Sequence, residues 1–218
     1  MKTSDIHECI NILREVVIKF TTPIVTEYAK NDKNPFHILI STVLSLRTKD
    51  QTTAQASKRL FNVANTPKKM VLLSESEIEK LIYPVGFYRI KAKNIKNICQ
   101  TLIDVYDEKV PDEIDNLLKL KGVGRKTANL VVTLGYNKPG ICVDTHVHRI
   151  TNRWGYVNTK NPEATEFALR EKLPNEYWLE INDLLVSYGQ NLCMPVSPKC
   201  SECRIYSLCK RVGVTKSR

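Results

Sequence analysis

An all-α protein is expected from three features of these 218 residues. Apolar residues recur at three- and four-residue steps along most of the chain, which is the spacing of one helix face. Alternating, strand-like runs are scarce. Only 8 glycines are present, too few for the many tight turns of a sandwich or barrel. With 42% hydrophobic and 26% charged residues, the chain carries enough apolar material for a packed core.

Residues 5–20 place Ile6, Cys9, Ile10, Leu13, Val16, Val17 and Phe20 on one stripe. Residues 36–46 are apolar nearly all round, as in a helix buried within a bundle. Thr48, with Gln51 three residues on, has the spacing of a capping box and predicts the start of the next helix. The segment SESEIEKLIYPVG starts in the same way and stops at Pro84 and Gly86. A longer helix is expected over 90–107. Pro111 then opens PDEIDNLLKLK, with acidic residues where the helix dipole favours them. Further helices are expected near 125–135, 145–153, 162–172 and 177–190. Beyond Gln190, prolines, cysteines and basic residues make a compact C-terminal segment.

The net charge of +10 points to a polyanionic partner. No signal peptide or spanning segment is visible, so an intracellular location with no membrane association is expected. Seven cysteines in a reducing interior are poor candidates for a disulfide framework.

The stretch LKGVGRKTAN (120–129) looks built to hold a phosphate. A nucleotide-binding P-loop requires glycine directly before its lysine, after a strand. Arg125 occupies that position and a helical pattern precedes the turn, so the P-loop reading fails. The remaining readings are an αα-hairpin whose glycines serve packing, and a helix-hairpin-helix. In the second, Gly122 and Gly124 free the backbone to approach a phosphodiester, and Val123 plugs the turn. Lys126 falls in the first turn of the following helix, where the dipole disfavours an ammonium and partial burial would lower its pKa, as a nucleophilic amine requires. Asp144 stands just before a predicted helix. It is either an N-cap or a proton acceptor that stabilises positive charge on a sugar, and one residue can do both.

Cys193, Cys200, Cys203 and Cys209 are separated by six, two and five residues, with Pro195 and Pro198 between them. Four thiolates in such a run suit one metal centre, either zinc or a [4Fe–4S] cluster. Cys9, Cys99 and Cys142 sit in apolar settings and read as core. His146 and His148 are two residues apart on a helix and face different ways, a poor metal pair.

Together, LKGVGRKTAN, VDTHVHRITNR, the cysteine tail, LSLRTKDQTT (44–53) and LIYPVGFYRIKAKNI (81–95) resemble the endonuclease III family of iron–sulfur DNA glycosylase/AP lyases. The likeness covers about residues 30–210. It implies two helical domains, 26–137 and 1–25 plus 138–218, with DNA in the cleft between them and the [4Fe–4S] cluster in the second. It implies a bifunctional enzyme of base-excision repair that removes oxidised pyrimidines and cleaves 3′ to the abasic site. Lys126 matches the family's catalytic lysine and Asp144 its aspartate, and the four cysteines match the cluster ligands. The partner would be double-stranded DNA with damaged bases or abasic sites, and a monomer is expected.

Gly122, Val123, Gly124, Arg125 and Lys121 would grip the backbone. Phe87 matches an apolar wedge in the opened duplex, with a core aromatic as the alternative. Arg204, Lys210 and Arg211 flank cluster cysteines and would face phosphates, or else form a solvated basic tail. Lys121 stands where many members have proline, and Arg47 where they often have glutamine, at a side chain that enters the space left by the flipped nucleotide. The rival readings are a monofunctional mismatch glycosylase, which typically lacks the lysine, and a non-catalytic, metal-stabilised DNA-binding module.

Overall fold

The computed structural model describes residues 1–20 and 33–218, and the described residues contain helices and turns but no strand. They form two compact units, Ile24–Lys138, and Met1–Pro23 with Pro139–Arg218. The expected boundary at 25–26 lies outside the described residues.

In the first unit, α1 (Pro35–Ser45) starts because the Asn34 side chain accepts the Phe36 amide and Pro35 fits the first turn. It buries Phe36, Ile38, Leu39, Ile40, Val43 and Leu44, confirming a helix apolar nearly all round. Each such side chain contributes about 1.5–3 kcal/mol when removed from water. Against it pack α2 (Asp50–Val63) and α5 (Tyr88–Tyr106), with α3 (Pro67–Leu72) and α4 (Glu75–Ile82) completing the unit. α5 is the longest and lies against α1, α3 and α4.

The Ser74–Glu77 capping box forms as expected: Ser74 Oγ accepts the Glu77 amide, and Glu77 accepts the Ser74 amide at 2.7 Å. The box expected at Thr48 does not form. α2 begins at Asp50 with Lys49 at its cap, and the Thr48 hydroxyl is committed to other partners, Leu46 O and the Gly86 amide. The helix expected from Pro111 also shortens, to a single turn, α6 (Ile114–Leu117). Val110, Leu117 and Leu120 must all reach the core before the chain turns back at Gly122, and i→i+3 bonds such as Leu120 N to Leu117 O replace a continuing helix. Next comes α7 (Arg125–Leu130), which runs directly into a π-helical segment, Val131–Gly135.

The second unit contains α8 (Ile6–Val17), α9 (Thr145–Arg153), α10 (Pro162–Lys172) and α11 (Ile181–Asn191). Ile6, Cys9, Ile10 and Leu13 of α8 are buried, as their stripe predicts. Their core continues through Ile150, Trp154, Tyr156, Leu185 and Tyr188. Among the described residues no helix is long and apolar enough to cross a membrane.

Candidate functional site

The turn between α6 and α7 is built by glycine at one position and by apolar burial at the next. Gly122 has φ +84°, a left-handed conformation, and a Cβ there would lie 2.4 Å from Asn94 Nδ2. Val123 is buried and joins the core of its unit, so it plugs the turn as expected. Gly124 differs from the expectation. At φ −101° and ψ 176° it occupies ordinary extended backbone, and nothing lies within 4 Å of where its Cβ would be. Its value is an open face at the N-cap of α7, where a ligand can meet the backbone.

Lys121 is exposed beside this turn, while Arg125 and Lys126 are half-buried in the first turn of α7. Behind them Thr127, Ala128, Asn129 and Leu130 are buried, and Asn129 Nδ2 donates to Arg125 O at 3.0 Å. The amine of Lys126 is therefore carried on a helix end anchored by its inner face.

In the second unit Asp144 is the N-cap of α9. Its Oδ1 accepts the amides of His146 at 2.8 Å and Val147 at 2.9 Å. One carboxylate oxygen is thus held by the helix end, which orients the other. His146 and His148 take separate partners, Arg149 and Thr165, so they form no metal pair with each other.

Arg47 and Phe87 lie together on the first unit. Both are exposed, and the guanidinium carbon of Arg47 sits 5.5 Å from the Phe87 ring centroid. Phe87 is 57% exposed, which excludes the core-aromatic alternative. Both backbones are left-handed, at φ 52° and 58°. Such conformations cost about 1–3 kcal/mol each in residues with side chains and cluster at functional sites.

One neighbouring residue escaped the sequence reading. Lys91 is only 5% exposed, and its ammonium donates to Leu44 O at 2.8 Å, Leu46 O at 2.5 Å and Thr48 Oγ1 at 3.1 Å. Burial pulls its pKa down to about 8. In sequence it is one lysine among several in RIKAKNIK, and nothing local marks it as buried.

Cys193, Cys200, Cys203 and Cys209 line one pocket with Trp154, Tyr188 and Ile205. Among the described residues no three of His, Cys, Asp and Glu are grouped closely enough to hold a single metal ion. Polar groups meet the sulfurs: Tyr188 Oη lies 2.9 Å from Cys203 Sγ, Arg153 Nη1 3.5 Å from Cys193 Sγ, and the Arg211 amide 3.4 Å from Cys209 Sγ. Burial pushes the Cys203 and Cys209 thiols up.

The basic residues here are partly engaged. Arg211 donates to Tyr206 O and Cys209 O, both at 2.9 Å, and stacks over Tyr206, which makes it a brace of the loop. Arg204 pairs with Glu15 at 2.9 Å on the surface, and Lys210 is exposed. Cys9, Cys99 and Cys142 are buried, as expected of core residues.

Known proteins share this layout. A family model described as "HhH-GPD superfamily base excision DNA repair protein" matches residues 40–175. Endonuclease III of Thermotoga maritima is 47% identical over 189 residues, 86% of this chain and 89% of that protein. The chloroplastic endonuclease III homolog 1 of Arabidopsis thaliana is 44% identical over 183 residues; the match covers 80% of this chain and 48% of that relative, so the chain spans about half its length. Among solved structures, a trapped endonuclease III–DNA covalent intermediate, an estranged-adenine complex, matches with a TM-score of 0.87 at 34% identity over 97% of each chain. A helical hairpin closed by Gly122–Val123–Gly124, a lysine one step into the next helix and a cysteine-lined pocket thus accompany extended sequence identity, and the chain belongs to the HhH-GPD superfamily of base excision DNA repair proteins, within the endonuclease III family.

Proposed function

We propose that this chain is a bifunctional DNA glycosylase/AP lyase that removes oxidised pyrimidines from double-stranded DNA and cuts 3′ to the resulting abasic site. The observation that carries the reading is Lys126, a half-buried residue in the first turn of the helix that follows the hairpin, in a chain matching a trapped endonuclease III–DNA covalent intermediate.

The hairpin amides and the open backbone at Gly124 hold a phosphate without reading sequence. The damaged nucleotide leaves the stack, which costs least where pairing is already weakened. Lys126 Nζ then attacks C1′, the bond from C1′ to the base breaks, and the departing base takes up a proton. The sugar ring opens as the nitrogen becomes an imine to C1′. Loss of a proton from C2′ expels the 3′ phosphate, and water hydrolyses the imine to free Lys126. Asp144, oriented by the amides of His146 and Val147, accepts a proton from the amine and stabilises positive charge on the sugar. Arg47 and Phe87 fill the space left in the duplex.

The four cysteines fit a [4Fe–4S] cluster, the centre carried by the endonuclease III family that the chain belongs to. Cys193, Cys200, Cys203 and Cys209 line one pocket and would supply the four thiolates that such a cluster takes. When bound, such a cluster ties the C-terminal loop together and takes no part in base removal.

The test is borohydride trapping on duplex DNA carrying thymine glycol, with Lys126→Gln as control. A covalent adduct from the wild type alone supports the reading. Base release without an adduct would instead identify a monofunctional glycosylase, and neither product with binding intact a DNA-binding module.

A further inference from the structure

Two exposed residues with strained backbone, Arg47 and Phe87, come from loops 40 residues apart, yet their side chains touch. Left-handed conformations persist in such residues only where surrounding contacts hold them. The contacts that hold them meet at Lys91. Its backbone amide donates to Phe87 O at 3.0 Å, fixing the first turn of α5 behind the aromatic. Its ammonium grips Leu44 O and Leu46 O, carbonyls at the C-terminal end of α1 that have no partner within the helix, immediately before Arg47. It also reaches Thr48 Oγ1, on the other side of Arg47, and that hydroxyl accepts the Gly86 amide at 3.2 Å, next to Phe87. Gly86 lies so close that a Cβ there would stand 2.6 Å from Arg47 O.

We infer that Lys91 is a positioning residue, a buried clamp that fixes the Arg47 and Phe87 loops as one rigid tooth for insertion into opened DNA. The inference rests on the proposed role of Arg47 and Phe87 in the duplex. At 5% exposure Lys91 acts through the two loops rather than on the DNA itself. A cation suits this task because it reaches three oxygens at once, where a neutral side chain of the same length would leave Leu44 O without this donor and Leu46 O with only the Thr48 hydroxyl. Wedging pays for unstacking only if the wedge is rigid, since a loop free to fold away would yield to the base stack.

The experiment uses the whole protein and a duplex carrying 2-aminopurine opposite a tetrahydrofuran abasic-site analogue, at saturating protein, so that fluorescence reports insertion rather than affinity. Lys91→Met keeps the buried stem without the charge, and Thr48→Val removes the bridging hydroxyl at nearly constant shape. An Arg47→Ala/Phe87→Ala double variant calibrates loss of the wedge. The expected result for Lys91→Met is an insertion equilibrium shifted about tenfold against the wedge, read as a reduced fluorescence change, as for loss of charge-assisted buried hydrogen bonds, with cleavage of an abasic site in single-stranded DNA and binding to undamaged duplex unchanged. Thr48→Val gives a smaller loss of the same kind, and Lys91→Arg recovers part of the signal.

Full fluorescence in Lys91→Met, while the double variant loses it, would overturn the clamp and leave the wedge standing. Should Lys91→Met fail to fold, full fluorescence in Thr48→Val has the same force, and a selective loss there supports the clamp. Equal loss of fluorescence, single-strand cleavage and duplex binding would overturn it as general damage. Full fluorescence in the double variant would remove the wedge reading itself.

Discussion

Gly122 and Gly124 have different physical roles, and replacing each by alanine separates them. At Gly122 the φ of +84° costs an alanine about 1–2 kcal/mol of backbone energy. The added Cβ also meets Asn94 Nδ2 at 2.4 Å, a flexible amide that can swing aside but sits 3.0 Å away even at its Cγ. Reduced freedom of the unfolded chain returns about 0.4–1 kcal/mol. With the displacement of Asn94 added to the backbone cost, the net expectation is a loss of about 1 kcal/mol, which for a chain of this length lowers Tm by roughly 2–4 °C.

At Gly124 the backbone is ordinary and the space around a Cβ is empty, so stability changes by about 0.5 kcal/mol or less. A methyl group on that open face would instead hold a phosphate away from the amides. Loss of one charge-assisted hydrogen bond of about 1.5–3 kcal/mol weakens duplex binding roughly tenfold or more. Thermal unfolding and fluorescence-anisotropy titration at fixed salt measure the two effects. A Gly124→Ala protein that melts several degrees lower yet binds duplex as tightly as the wild type would refute the assignment of phosphate contact to Gly124. A Gly122→Ala protein as stable as the wild type would refute the strain argument.

Three further outcomes follow from the same structure. Asp144→Asn retains the cap, because asparagine accepts the His146 and Val147 amides as well as aspartate does; base excision under single-turnover conditions should fall about 10²–10⁴-fold with Tm unchanged, and a parallel fall in both would make Asp144 only a cap. Ser74→Ala removes the α4 cap and costs about 1 kcal/mol near neutral pH. The Ser74 hydroxyl and amide hold the Glu77 carboxyl below its ordinary pKa of 4.5, so the contribution of Glu77 is present above that value and is lost as pH falls through the lower folded value. The Tm gap between wild type and Ser74→Ala should therefore narrow in acid, and a gap constant with pH would count against the capping box. Cys200→Ser should lose bound iron, measured by elemental analysis, together with cooperative melting of the C-terminal segment; full iron content in that variant would remove Cys200 from the ligand set.

Local signals carried much of this protein, because local chemistry decides those features. The apolar faces of α1 and α8, the Ser74 box and the Asp144 cap involve residues within one or two turns of each other, so spacing alone reveals them. The cysteine spacing likewise confines four thiols to one loop. Val123 was legible too, an apolar residue between glycines with nowhere to go but inward.

What local spacing could not decide depends on partners far along the chain. Thr48 reads as a cap and is not one, because Gly86, 38 residues away, takes its hydroxyl. Lys91 reads as a solvated lysine, and its burial is set by carbonyls 45 and 47 residues earlier. The expected helix after Pro111 shrinks to one turn because the core positions of Val110, Leu117 and Leu120 outweigh weak helix propensity. Periodicity and capping residues by themselves determined that the chain is helical and where its chemical groups lie. Tertiary structure alone decided which polar groups are buried and which loops are held rigid, since desolvation and the satisfaction of buried carbonyls depend on everything packed around them.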